Sequence, residues 1–286
     1  MATNNEVYRL LHLQSLTQLY SQVASGRMKK TRDSVLSSRT YLDELYAVFN
    51  QVRTNYADKV KKLSKSRSLT GKKSVTFLAH NGKTVACFIS ANTGLYGSLI
   101  REVFDQFLKE VRSGQVEATI IGKLGLSMFK TIMGDDYPVT YFDFPDDEID
   151  KESLQKILIH LVPYEQIDVY YGQFITVFRQ KPESFPLSSK VVTDEKALKD
   201  RISYIFEPSL EAVLQHFEKE IFATLFEQKV RENQLAKYAS RVVAMEQANT
   251  RIDNEIGKAT IRMRLEYHRV INRSQLNQLT SVLFRK

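Results

Sequence analysis

The sequence is poor in residues that cross-link chains and, at both ends, in residues that break helices. Cys87 is its only cysteine, which excludes an internal disulfide and a cysteine-based metal cage. That cysteine lies in TVACFIS among apolar neighbours. It reads as a small buried hydrophobe on a strand, because a reactive thiol needs an electropositive, partly exposed setting. No apolar run approaches the ~20 residues that span a bilayer. The opening MATNNEVYRLLHLQSL lacks the basic stretch, apolar core and cleavage site of a signal peptide. The expectation is a cytoplasmic protein without direct membrane insertion, still able to dock on a membrane-bound partner.

Proline is absent before Pro138 and after Pro208. From Asn5 to about Asp58 the only glycine is Gly26, and from Ser209 to Lys286 it is Gly257. Proline costs about 3 kcal/mol in a helix interior and glycine about 1, so both tracts lack the usual breakers. In the second tract Leu210, Leu214, Phe217, Ile221 and Leu225 fall at helical spacing, and Tyr238, Val242, Met245, Ala248, Ile252, Ile256 and Ala259 continue the stripe. Unbroken, such a helix would extend roughly 117 Å at about 1.5 Å per residue, too far for one globular domain. Its narrow stripe therefore needs a partner. The N-terminal tract offers one through Val7, Leu10, Leu11, Leu16, Val23, Val35, Leu42, Leu45, Phe49 and Val52. The two ends are expected to form an antiparallel coiled coil, without a perfect heptad.

The middle has a different composition. SVTFLAH and KTVACFIS flank Asn81-Gly82, a hairpin-like signal. Then come the glycine turn SANTGLYGSL, the amphipathic LIREVFDQFLKEVRSG, the strand-like EATIIG and the helix-like LGLSMFKTIMG. They are followed by YPVTYFDF, a helix around KESLQKILIHLV, and IDVYYGQFITVFRQ. KPESFPLSS reads as a proline- and serine-rich exit. Alternating strands and helices predict an α/β, Rossmann-like knob. The expected organisation is a shaft helix over 1–60, the knob over 72–195 and a second shaft helix over 204–286.

Strand, glycine turn and helix is how phosphate sites are built, but SANTGLYGSL carries only Gly94 and Gly97. It is neither GxGxxG nor GxxxxGK[ST], and no lysine follows to reach a phosphate. The turn is read as structural, with no cofactor expected. FPDDEIDKE lacks the ligand alternation of a calcium loop and reads as the solvated start of a helix. His12, His80, His160, His216 and His268 are scattered, so neither a metal site nor a catalytic set is expected. The net charge is +8, which favours an acidic partner. Basic residues cluster at Arg27, Lys29, Lys30 and Arg32, again between Arg53 and Lys73, and from Lys258 to Lys286. Stacking aromatics are not interleaved with them, which argues against nucleic acid and for an acidic protein surface.

The organisation resembles the gamma subunit of F-type ATP synthases. YASRVVAMEQANTRIDNEI is similar to that family's C-terminal signature at Arg241, Met245, Glu246, Ala248 and Asn249. SYIFEPS resembles the Glu-Pro segment that opens its C-terminal helix, SANTGLYGSL its glycine turn, and LTQLYSQVASGRMKK its N-terminal pattern. The resemblance implies a non-catalytic central-stalk rotor, peripheral on the cytoplasmic side of the membrane. The implied partners are the alpha and beta ATPase subunits, an epsilon-type subunit and the membrane c-ring. It further implies that Arg27, Lys29, Lys30, Arg241, Met245, Glu246, Asn272 and Gln278 meet the alpha and beta subunits. Tyr204 and Glu207 would lie at the foot, near the ring and the epsilon-type subunit.

The chain departs from the family pattern near its C-terminus. Ile271 and Asn272 stand where Arg-Gln is usual, and Leu276 and Gln278 where Thr and Glu are usual. The alternative reading is a basic coiled-coil scaffold with an α/β binding knob that takes no part in a motor.

Overall fold

A computed structural model describes residues 2–55, 81–114, 116–187, 207 and 209–283. Two compact units divide the chain. One holds Gly26–Ser240, and the other combines Met1–Ser25 with Arg241–Lys286.

The larger unit is built on a five-stranded sheet of order β3-β2-β1-β4-β5. In chain order its elements are β1 (Thr84–Ile89), α2 (Leu99–Arg112), β2 (Glu117–Ile121), α3 (Lys123–Met133), β3 (Val139–Phe142), α4 (Lys151–Leu161), β4 (Gln166–Thr176) and β5 (Arg179–Pro186). The strands β1 to β4 pair in parallel, and β5 runs antiparallel along β4. Helix α1 (Ala2–Asn55) precedes the sheet, and α5 (Leu210–Leu283) follows it.

Alternation along the strands builds the two halves of the core. Val85, Cys87 and Ile89 point to one face, where Leu154, Ile157 and Leu161 of α4 join Leu42 and Phe49 of α1 and Leu214, Ile221 and Phe226 of α5. Ala86 and Phe88 point to the other, against Val103, Phe104, Phe107 and Val111 of α2 and Phe129 of α3. Both faces of a parallel sheet need such cover, which is why β1 is buried along Val85–Ile89. Helix α2 places Glu102 in its first turn and Lys109 and Arg112 in its last, matching the helix dipole. Asp150 caps α4 by accepting from the Glu152 and Ser153 amides at 3.3 and 3.1 Å.

Two expectations fail. Asn81-Gly82 does not close a hairpin on β1, because both edges of β1 are taken by the parallel strands β2 and β4. The segment SVTFLAH itself lies outside the described residues. KPESFPL, the described part of KPESFPLSS, is not an exit either, and Ser188 and Ser189 lie outside the described residues. Residues 179–186, with Pro182 and Pro186, form β5, and proline is tolerated there because β5 is an edge strand.

Within this unit α1 and α5 touch at several levels. Phe49 packs on Phe217 with ring centroids 6.0 Å apart. The Tyr41 hydroxyl donates to Glu220 at 3.3 Å, and Arg231 donates to the Ser34 hydroxyl at 2.5 Å. In the smaller unit Arg262 meets Glu6 at 2.8 Å, Gln14 meets Asp253, and Thr17 meets Asn249. In each unit the position on α5 falls as that on α1 rises. No helix among the described residues is long and apolar enough to cross a membrane.

Candidate partner surfaces and the glycine turn

The residues singled out from sequence fall into two groups. Lys29 and Lys30 on α1, and Glu246, Asn272 and Gln278 on α5, are exposed, as is Glu207. Arg241 and Met245 are buried, at 8% and 5% exposure. Arg27 is half-exposed and ion-paired with Asp147. Burial disfavours the Arg27 charge, but the hydrogen bond and attraction of Asp147 outweigh it and raise its pKa above the ordinary arginine value. Tyr204 lies outside the described residues. Around the exposed charges run apolar side chains open to solvent: Leu16, Leu19 and Val23 on α1, and Ile261, Leu265 and Val270 on α5.

The glycine turn joins β1 to α2. Gly97 sits in the left-handed region at φ 59°, which glycine adopts freely, whereas Leu95 occupies the same region at φ 71°. At the mouth of this turn a phosphate site would hold an anion on backbone amides. Here a carboxylate of the chain itself fills that role. Asp146 Oδ2 accepts from the Asn92 and Thr93 amides at 3.0 and 2.9 Å and from the Thr93 hydroxyl at 2.9 Å. Its other oxygen takes a hydrogen bond from Lys237 Nζ of α5 at 2.7 Å. Burial would raise the Asp146 pKa, but the Lys237 charge and the hydrogen bonds from Lys237 and Thr93 hold it below the usual carboxylate value.

FPDDEIDKE is therefore only partly a solvated helix start. Asp150 caps α4 as expected, but Asp146 is 9% exposed and paired with a lysine distant in sequence. Its neighbour Asp147 reaches Arg27 and the Tyr238 hydroxyl. Sequence reasoning missed Asp146 and Lys237 because neither has a partner within its own segment. No lysine directly follows the turn in sequence, and the one that reaches it comes from α5.

A second polar cluster lies along β2 and α4. Glu117 accepts from Lys83 and from the Tyr164 hydroxyl, each at 2.6 Å, and the His160 ring shares a hydrogen bond with the Thr119 hydroxyl at 3.0 Å. Burial, backed by the Glu117 hydrogen bond, pushes Tyr164 up to about 12. Burial also lowers the His160 pKa despite the opposing Glu117 charge. Among the described residues no group of three or more His, Cys, Asp or Glu is placed to hold a metal ion.

Comparison with known proteins agrees with this architecture. The family model described as ATP synthase matches residues 8–271. The ATP synthase gamma chain of Ruthia magnifica is 24% identical over 85% of this chain and 84% of its own length. That of Pelotomaculum thermopropionicum is 24% identical over 93% of this chain and 89% of its own. Among solved structures, the Euglena gracilis mitochondrial ATP synthase (OSCP/F1/c-ring, rotational state 3) contains a chain matching at TM-score 0.55 and 17% identity, over 91% of this chain and 94% of that one. The central stalk and c-ring structure of the Tetrahymena thermophila mitochondrial enzyme contains another, at TM-score 0.55 and 19% identity over 82% of this chain and 99% of that one. With residues 8–271 matched by the family model and most of its length by gamma chains, the chain belongs to the ATP synthase family, as a relative of those gamma chains.

Proposed function

We propose that this chain is the non-catalytic shaft of a rotary ATPase. It would carry rotation between a membrane ring driven by ion flow and a hexamer of alpha and beta subunits that makes or hydrolyses ATP. The observation that carries this reading is the pairing of α1 with α5, 54 and 74 residues long, seen within the larger unit at Phe49 and Phe217 and within the smaller one at Glu6 and Arg262. We read the two helices as an antiparallel coiled coil and the sheet with its helices as the knob, with the domains bounded near 1–60, 72–195 and 204–286. An asymmetric shaft changes the relative stability of each catalytic site's states as it turns, and only such differential contact can shift a population.

The partner surface we assign is the exposed one. Lys29, Lys30, Glu246, Asn272 and Gln278 would meet the alpha and beta subunits, and Arg27 would do so only through the part of its side chain that Asp147 leaves open. Arg241 and Met245 are inside the chain, so their contribution would be to shape the shaft rather than to touch its bearing. Glu207, and Tyr204 beside it in sequence, are assigned to the foot, near the ring and an epsilon-type subunit. The complex would sit peripherally on the cytoplasmic side of the membrane.

The test is a native pull-down of the tagged chain from its source cells, with subunit counting and an ATPase assay. Alpha- and beta-type subunits recovered in roughly threefold excess each, with activity, are expected. A chain recovered only with itself or with non-ATPase proteins would overturn the reading in favour of a coiled-coil scaffold.

A further inference from the structure

In open α/β sheets, ligands bind outside the carboxyl ends of the strands where the strand order reverses. In this sheet that point lies between β1 and β4, since β2 and β3 extend to one side of β1 and β4 and β5 to the other. The crevice is occupied by one stretch of α5. The last paired residues of β1 and β4 are Phe88 and Tyr170. Just beyond them the side chain of Asn233, 1% exposed, continues the ladder: its Oδ1 accepts from the Gly172 amide at 2.8 Å, and its Nδ2 donates to the Ile89 carbonyl at 3.2 Å.

Four residues on, Lys237 donates to the Ser90 carbonyl at 3.3 Å and to Asp146 at 2.7 Å. Three further on, the Ser240 hydroxyl donates to the Tyr96 carbonyl at 2.6 Å. Positions i, i+4 and i+7 share one face of a helix, so a single face of α5 holds the ends of β1 and β4, the glycine turn and the Asp146 loop. Apolar packing is non-directional and tolerates sliding. Hydrogen bonds weaken steeply off-axis, and a buried ion pair that loses one partner leaves an uncompensated charge. This contact therefore resists rotation of the sheet about the helix in a way that the flanking apolar contacts do not.

We propose that Asn233, Lys237 and Ser240, with Asp146, form the torque-bearing joint through which the α/β domain turns with α5, in the crevice where related sheets bind ligands. They are positioning residues, and the inference rests on the rotor reading. The joint also fixes its own polarity. Asp146 receives two backbone amides as well as Lys237, so exchanging the two charges would aim an ammonium at amide donors.

The experiment uses the assembled complex, immobilised through its catalytic hexamer, with a probe on the α/β domain. A cysteine introduced by F178C, at a position 87% exposed, takes the label. The native Cys87 does not compete, being fully buried with its thiol pushed up to about 12. Angular variance of the probe in the ATP-waiting dwell then reads the stiffness of the joint. The expected result is wild-type ATP hydrolysis with about a twofold rise in variance for K237M, a smaller rise for S240A, and wild-type variance for K237R and for the control K83M, just before the start of β1. A merely structural role would lower the yield of complex and leave the variance of assembled complexes unchanged, and that result overturns the joint. If K237M fails to assemble, S240A, which loses one hydrogen bond, carries the same test with the same two outcomes. A wild-type complex that hydrolyses ATP without turning the probe overturns the rotor reading, and the joint with it.

Discussion

Phe88, Phe104, Phe107 and Phe129 in the α/β unit are wholly buried, whereas Leu16, Leu19, Leu265 and Val270 in the helical unit are each more than half exposed. In both regions an apolar periodicity selects the inward face, by alternation along the strands and by the 3.6-residue repeat along the helices. They differ in what covers the apolar face. In the first, sheet and helices enclose each other, and polar residues enter only in satisfied networks such as Asp146 with Lys237. In the second, two helices cover only each other's inner stripe, and among the described residues burial there is confined to Ala24, Arg241, Met245, Asn249 and Ala259. The α/β region is stabilised from within, and the helical region leaves apolar side chains open to solvent.

The contrast breaks most sharply at Phe107, which touches Phe88, Phe104, Phe129 and Tyr170. F107A is expected to cost about 3–5 kcal/mol, read as an earlier urea midpoint for sheet unfolding. D146N comes next, at about 3 kcal/mol, because it leaves the Lys237 charge buried without its counter-ion. The pH dependence has a definite sign. Asp146 has a folded pKa below its ordinary value, so its stabilisation is full above the usual carboxylate range and is lost as pH falls through the folded value. D146N is therefore expected to flatten the acid limb of the stability curve below about pH 4, and a limb as steep as wild type would count against the assignment.

G122A should follow. Gly122 has φ 104°, and a Cβ there would lie 2.8 Å from the Ala91 backbone. Strain of this kind costs about 1–3 kcal/mol, measurable by calorimetry. A smaller effect is expected at His160, faced by Thr119, Glu117, Phe142 and Tyr164. Its folded pKa is lowered, so its neutral form supports the fold above the ordinary histidine value of 6.5, and stability falls as pH drops through that value. H160Q should remove this slope between about pH 7 and 5. The smallest effect on the chain alone is expected for L16A with L265A, within about 0.5 kcal/mol. The same pair should reduce recovery of ATPase subunits in the pull-down. A large loss of stability without loss of partners would erase the distinction between the two regions.

The absence of breakers determined both long helices, because helix continuity is a local property: α1 and α5 cover most of the tracts read as helical. Alternation and amphipathicity likewise located β1, β2, β3 and β4 and the three helices between them. Edge position was not legible, so β5 with its two prolines passed for a loop, and Asn81-Gly82 suggested a hairpin that the parallel neighbours of β1 exclude.

Exposure along the shaft helices was legible in part. Lys29, Lys30, Glu246, Asn272 and Gln278 face solvent, but Arg241 and Met245 do not, since which side of a helix turns inward depends on what packs there. The sequence by itself determined the order helix, α/β domain, helix, the family resemblance, and the lack of a phosphate-binding motif, all of which rest on residues close together in the chain. Only the tertiary structure decided what fills the glycine turn. Asp146 and Lys237 stand 91 positions apart, and a buried charge finds its partner by proximity in space, which no local pattern records.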